Sequence, residues 1–169
     1  MKEFKENENH RLLLAIDPFS RGFGYALFEG PLKIVDWGIT ENRLNVSKRS
    51  YERIEQILDF YHPHILVLED HKGDTSRKCK RIKKLIERIS KLAKAKEIEV
   101  KIVTPKKVHE VFDEFNCKNK HDMELAICEW HPALSSRKPP KRAIWMSEDP
   151  RTNLFDAAAF ALTYYYSTE

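Results

Sequence analysis

The chain has 169 residues, of which 41% are hydrophobic and 11% aromatic, which excludes a disordered segment and is enough to bury a substantial core in one domain. Charged residues make up 33%, yet the net charge is only +4, so any basic surface must be a local patch. No apolar run approaches the roughly 20 residues of a membrane span, and the polar opening MKEFKENENHR reads as neither signal peptide nor anchor. The expectation is a soluble cytoplasmic protein without membrane contact. Cys79, Cys117 and Cys128 are odd in number and form no CxxC pair, which favours reduced thiols over a disulfide frame or a zinc site.

Residues 1 to 10 read as a flexible tail and residues 11 to 169 as a single domain. The run Leu12-Leu13-Leu14-Ala15-Ile16 has no helical spacing and suits a buried strand, ending on Asp17 before Pro18. A turn containing Gly22 and Gly24 leads into a second strand over 25–29, Gly30-Pro31 turns the chain again, and 32–40 is a third. Ser47 is the expected N-cap of a helix whose face is Tyr51, Ile54, Ile57, Leu58 and Tyr61. His62-Pro63 stops it, and 65–68 is a short strand ending in Glu69-Asp70. A helix over 79–96 follows, with Ile82, Leu85, Ile86, Ile89, Leu92 and Ala93 on one face, then a strand over 100–103. Helices are expected over 106–115 and 120–130, a loop over 131–152, and a buried helix over 153–166. Three antiparallel strands followed by strand–helix crossovers define an α/β fold with a mixed sheet and helices on both faces.

Three acids stand out. Asp17 and Glu69 each end an apolar strand and share a side with alternating apolar residues, Leu13 and Ala15 in one case, Ile65 and Val67 in the other. If the two strands are parallel neighbours, both carboxylates reach the end of the sheet where sites form. Asp17 reads equally well as a turn cap. Asp156 lies in the most apolar helix, where an unpaired acid is costly. Carboxylates converging without bases between them would repel one another, and a divalent cation removes the conflict. An all-oxygen site suits Mg²⁺ or Mn²⁺, and two such ions can activate water against a phosphodiester. On that reading Asp17→Asn leaves the metal-free protein as stable as before, or more so.

The segments LLLAIDPFSRGFGYALFEG, HILVLED and NLFDAAAFALTYY, in that order, resemble the RuvC-type Holliday junction resolvases of the RNase H-like superfamily. The resemblance implies an RNase H-like fold with a five-stranded mixed sheet, Asp17, Glu69 and Asp156 as catalytic metal-binding acids, and a homodimer that nicks two strands of a four-way junction with Mg²⁺ or Mn²⁺. It also implies a place near the scissile phosphate for Lys120. Two positions depart from the family pattern. Phe19 stands where a glycine is usual, and Asn153 stands where an acid or histidine is common, so Asn153 would bind metal only through its carbonyl oxygen. Asp70 reads as structural, and Glu148 and Asp149 as replacement ligands.

The stretch after Glu69 is crowded with bases, including Lys72, Arg77, Lys78, Lys80, Arg81 and Lys84, and Glu87 is the lone acid between Cys79 and Ala95. Such one-sidedness suits phosphate binding, although a solvated face is the plain alternative. Arg21, Lys120, Lys141 and Arg142 complete the nucleic-acid-binding candidates, with Trp145 either a stacking group or a core anchor. The leading expectation is a structure-selective DNA endonuclease. Alternatives are an RNA-directed nuclease of the superfamily and a binding module that kept the fold and lost the chemistry. An ATP-binding reading is set aside, because the chain is too short for two lobes.

Overall fold

Five strands form one sheet in the computed structural model, which describes residues 11–73 and 78–168. β1 (Leu12–Phe19), β2 (Gly22–Glu29) and β3 (Ile34–Glu41) make an antiparallel meander. β4 (Ile65–Glu69) and β5 (Glu99–Val103) add in parallel on the other side of β1, giving the order β3-β2-β1-β4-β5. The helices are α1 (Val46–Tyr61) between β3 and β4, α2 (Lys80–Ala95) between β4 and β5, and then α3 (Pro105–Asp113), α4 (Lys120–Trp130) and α5 (Arg151–Thr168). The expected tail, residues 1–10, lies outside the described residues.

Strand alternation sorts the core into two layers. Leu13, Ala15, Ile65 and Val67 face α3, α4 and α5, while Leu14, Ile16, Leu66 and Leu68 face α1 and α2. β1 is buried on both sides, which is why its sequence is an unbroken apolar run without alternation. No helix among the described residues is long and apolar enough to cross a membrane. The cysteines are free thiols.

Several boundaries differ from expectation for physical reasons. β1 continues past Pro18 to Phe19. Its parallel pairing with β4 stops at Ala15–Val67, while pairing with β2 runs on through Pro18–Phe23 and Phe19–Gly22. The turn is therefore only Ser20-Arg21, and Gly22 and Gly24 lie inside β2. α1 starts after Asn45, held in the left-handed region at φ 52°, so Ser47 is inside the helix instead of capping it. The expected loop over 131–152 contains a 3-10 turn, Pro132–Arg137, pinned by fully buried Leu134.

Gly24 has a purpose that a turn would not explain. A Cβ there would lie 2.4 Å from the backbone carbon and oxygen of Asn153 and 2.5 Å from the nitrogen of Leu154. The missing side chain is what lets the first turn of α5 rest on β2, opposite Asp17 in the β1–β2 register. Gly24→Ala is accordingly expected to cost at least the 1–3 kcal/mol typical of overpacking, about that or somewhat more, because the clash is with backbone. Thermal or urea unfolding of the variant measures it; an unchanged melting temperature would contradict the close packing.

Candidate active site

Asp17 and Glu69 each sit one pleat beyond the last paired residues of two parallel neighbours, Ala15 and Val67. Both follow residues that face the α5 layer. The sheet therefore delivers two carboxylates to one end and one face, and α5, packed over Gly24, brings Asn153 and Asp156 to them. Asp17 is 2% exposed. Its Oδ2 accepts a hydrogen bond from Asn153 Nδ2 at 2.8 Å, and its Oδ1 accepts one from Lys78 Nζ at 2.7 Å.

Lys78 is the residue that sequence reasoning passed over. It was one base among many, yet its half-buried ammonium lies between the strand ends, 2.7 Å from Asp17, 2.8 Å from the Pro18 carbonyl oxygen and 3.4 Å from Glu69 Oε2. A base just ahead of a helix N-terminus opposes the helix dipole, and that mismatch was the available signal. A second lysine serves the third acid. Asn119 caps α4 through Asp122 N, which sets Lys120 at the first helical position. Lys120 Nζ lies 3.2 Å from Asp156 Oδ2 and 3.1 Å from Glu148 Oε1. The premise of acids converging without bases between them is thus corrected: two ammonium groups stand among them.

The electrostatics follow from that arrangement. Burial works against the charge of Lys78, but Asp17 and Glu69 outweigh it and hold its pKa above the ordinary lysine value. Burial likewise opposes Lys120, and Asp156 and Glu148 raise it. Glu69 is raised chiefly by desolvation, with Lys78 pulling down and Asp17 pushing up. Asp156 is raised by desolvation and by the charge of Asp17, against the pull of Lys120. Even with a lysine beside each, both carboxyls stay above their ordinary pKa.

The donor set is oxygen only, and Asp17 and Glu69 already share one cation, so the pair fits a hard divalent ion in kind. Among the described residues no three acids, histidines or cysteines close on a single point as they stand. Asn153 turns its amide nitrogen to Asp17, where it orients the carboxylate instead of offering the carbonyl oxygen expected of a ligand. Glu148 is engaged by Lys120. Asp149 pairs with Arg151 at 2.6 Å and accepts from its backbone nitrogen, a structural contact at the start of α5. Asp70 accepts from Lys72 N in the turn after β4, as its structural reading required.

The basic candidates divide. Exposed Arg21, Lys120 and Arg142 line one cleft beside Asp156, with Lys141 next in sequence to Arg142. Lys80 and Lys84 lie on the outer face of α2, across the sheet from that cleft, and Arg81 donates to the Ser20 carbonyl oxygen at 2.8 Å. Lys72 is exposed after β4, and Arg77 lies outside the described residues. Trp145 is 88% exposed, which removes the core-anchor reading. Glu124 also went unnoticed in the sequence, although it falls on the face of α4 that carries Met123 and Ile127 and is buried with them.

The fold is that of Holliday junction resolvases. Thermus thermophilus RuvC matches with a TM-score of 0.66 at 17% identity, covering 93% of this chain and 95% of that one. T. thermophilus RuvC in complex with a Holliday junction substrate matches at 0.64 and 17%, covering 94% and 96%. The yeast mitochondrial Holliday junction resolvase Ydc2 matches at 0.65 and 14%, covering 92% and 78%. No protein-family model and no curated protein sequence matches the chain.

Removing Lys78 should leave two buried carboxylates facing each other without a counter-charge. Lys78→Met is expected to destabilise the metal-free protein by about 3–5 kcal/mol, the usual cost of breaking a buried pair. Asp17→Asn should destabilise it too, reversing the expectation drawn from repulsion alone. Chemical denaturation in the presence of a chelator measures both, and unchanged midpoints would show the ion pair to be incidental.

Proposed function

We propose that this chain is a metal-dependent, structure-selective DNA endonuclease that resolves four-way junctions. The observation that carries the reading is that Asp17 and Glu69 share one ammonium at the end of a sheet whose fold is shared with junction resolvases, with Asp156 paired to Lys120 beside them. Asp17, Glu69 and Asp156 would hold Mg²⁺ or Mn²⁺, in one or two ions. Such an ion supplies an activated water and stabilises the leaving oxygen of the phosphodiester. Asn153 keeps Asp17 in a fixed orientation, and Lys120 carries positive charge to the side where a phosphate approaching Asp156 would develop negative charge. Arg21, Arg142 and Lys141 would hold neighbouring phosphates, and Lys72, Lys80 and Lys84 more distant ones. A four-way junction cut in two symmetric places needs two related sites, so the working form in this reading is a homodimer.

Lys78 favours a second reading. Its ammonium stands at the point that Asp17 and Glu69 share, as it would in a nucleic-acid-binding module that replaced a metal with a lysine.

Cleavage of a labelled synthetic four-way junction, its linear duplex arms and the equivalent RNA duplex, with Mg²⁺ or Mn²⁺, separates the readings. The endonuclease reading expects paired nicks in the junction alone, reduced at least a thousandfold in Asp17→Asn. Cutting of all substrates would point to a less selective nuclease, and tight junction binding without cutting would establish the binding module.

A further inference from the structure

Beside the candidate active site, between α4 and the 139–150 segment, lies a cleft of about 360 Å³, at the small end of ligand pockets, which run from about 300 to 1,000 Å³. Its inner surface carries Glu124, which is 6% exposed. A carboxylate this buried ordinarily has hydrogen-bond donors around it. Glu124 has none among the described residues; His121 Nδ1 lies 3.9 Å away, an atom itself without a hydrogen-bond partner. Desolvation accordingly pushes Glu124 up to about 7. The Glu124 carboxylate is thus an acceptor in this cleft with no donor on it among the described residues.

Around it, exposed Arg21, Lys120 and Arg142 line the same cleft together with two acids that are already paired, Glu148 with Lys120 and Asp149 with Arg151, and Lys120 also holds Asp156. Pro139 and Met146 supply apolar wall, and the Arg142 Nε donates to the Met146 carbonyl oxygen at 2.8 Å, closing the turn that forms it. A nucleotide matches this pattern: phosphate at a basic rim, flat base against apolar wall, donor group at an acidic floor. The sugar–phosphate backbone of DNA has no strong donor, whereas cytosine N4 and adenine N6 each carry an amino group, and a carboxylate is the natural acceptor for cytosine N4.

We infer that this cleft receives one unpaired, amino-bearing nucleobase from the branch point, with Glu124 as its acceptor. The inference rests on the endonuclease or junction-binding reading above and adds to it a source of both structure and sequence preference. A base in a duplex keeps its amino group paired and stacked; only a base already free at a branch enters at low cost.

The test measures binding, in Ca²⁺ or chelator at pH 8, so that it does not depend on cleavage. Two four-way junctions each carry one unpaired nucleotide at the branch, deoxycytidine in one and its analogue with a 2-pyrimidinone base in the other, which differ only in the presence of the C4 amino group. The parent should bind the deoxycytidine junction roughly tenfold or more tightly, the worth of one hydrogen bond to a charged group. Glu124→Leu should bind both equally. Because it removes a buried carboxylate that lacks donors, it should melt at or above the temperature of the parent, so lost preference cannot be ascribed to unfolding. Equal binding by the parent, or a preference kept in Glu124→Leu, would overturn the inference while leaving the functional reading intact. Junctions bound no better than duplex by the parent would overturn the functional reading and the base site with it.

Discussion

The structure depends on how one carboxylate is buried. Asp17 is at the end of the central strand with 2% of its surface exposed, a position that costs several kcal/mol unless the charge is bonded on every side. Each of its partners is supplied by a different part of the fold. Asn153 reaches Oδ2 because Gly24 has no side chain to keep α5 off the sheet. Lys78 reaches Oδ1 from the turn ahead of α2, whose first residues are tied to the β1–β2 hairpin through Arg81 and Ser20. Meander, crossover and final helix therefore meet at one side chain, and the same packing that makes the core sets the geometry of the site.

Buried ion pairs contribute little net stability, because desolvation offsets their attraction. Their value here is arrangement. Lys78 keeps Asp17 and Glu69 together, and Lys120 holds Asp156 and Glu148, so four acids stand in a small region without scattering. The compensation is incomplete. Glu69 and Asp156 both remain shifted toward protonation, Glu69 despite an ammonium 3.4 Å away and Asp156 despite one 3.2 Å away.

Most of the framework was legible because it is written in patterns that burial enforces. An unbroken apolar run marked β1 as a buried strand, and helical spacing from Ile82 to Ala93 marked the inner face of α2. Strand-end position and side parity put Asp17 and Glu69 on one face once their strands are parallel neighbours, as the β1–β4 pairing makes them, and Asp156 was conspicuous in an otherwise apolar helix. What stayed hidden were contacts between distant segments. Lys78 is indistinguishable by type from the bases around it until its ammonium meets Asp17 and the Pro18 carbonyl oxygen. Gly24 read as turn chemistry, since only the tertiary approach of Asn153 shows that a backbone needs the space. Glu124 went unnoticed because the chain that covers it, 139–150, is irregular and leaves no periodic trace. Trp145 could not be assigned from composition, and its exposure follows from the tight turn closed by Arg142 and Met146.

The central claim is that the Asp17 and Glu69 carboxylates form a cation site in which Lys78 stands as the built-in counter-charge. A crystal structure of the protein soaked in Mn²⁺, with anomalous scattering recorded at the manganese edge, tests this most directly. The account predicts an anomalous peak bonded to Asp17 and Glu69, with the Lys78 ammonium moved away from the point it now shares with them. A peak elsewhere, or none at saturating manganese with Lys78 still between the two acids, would contradict it.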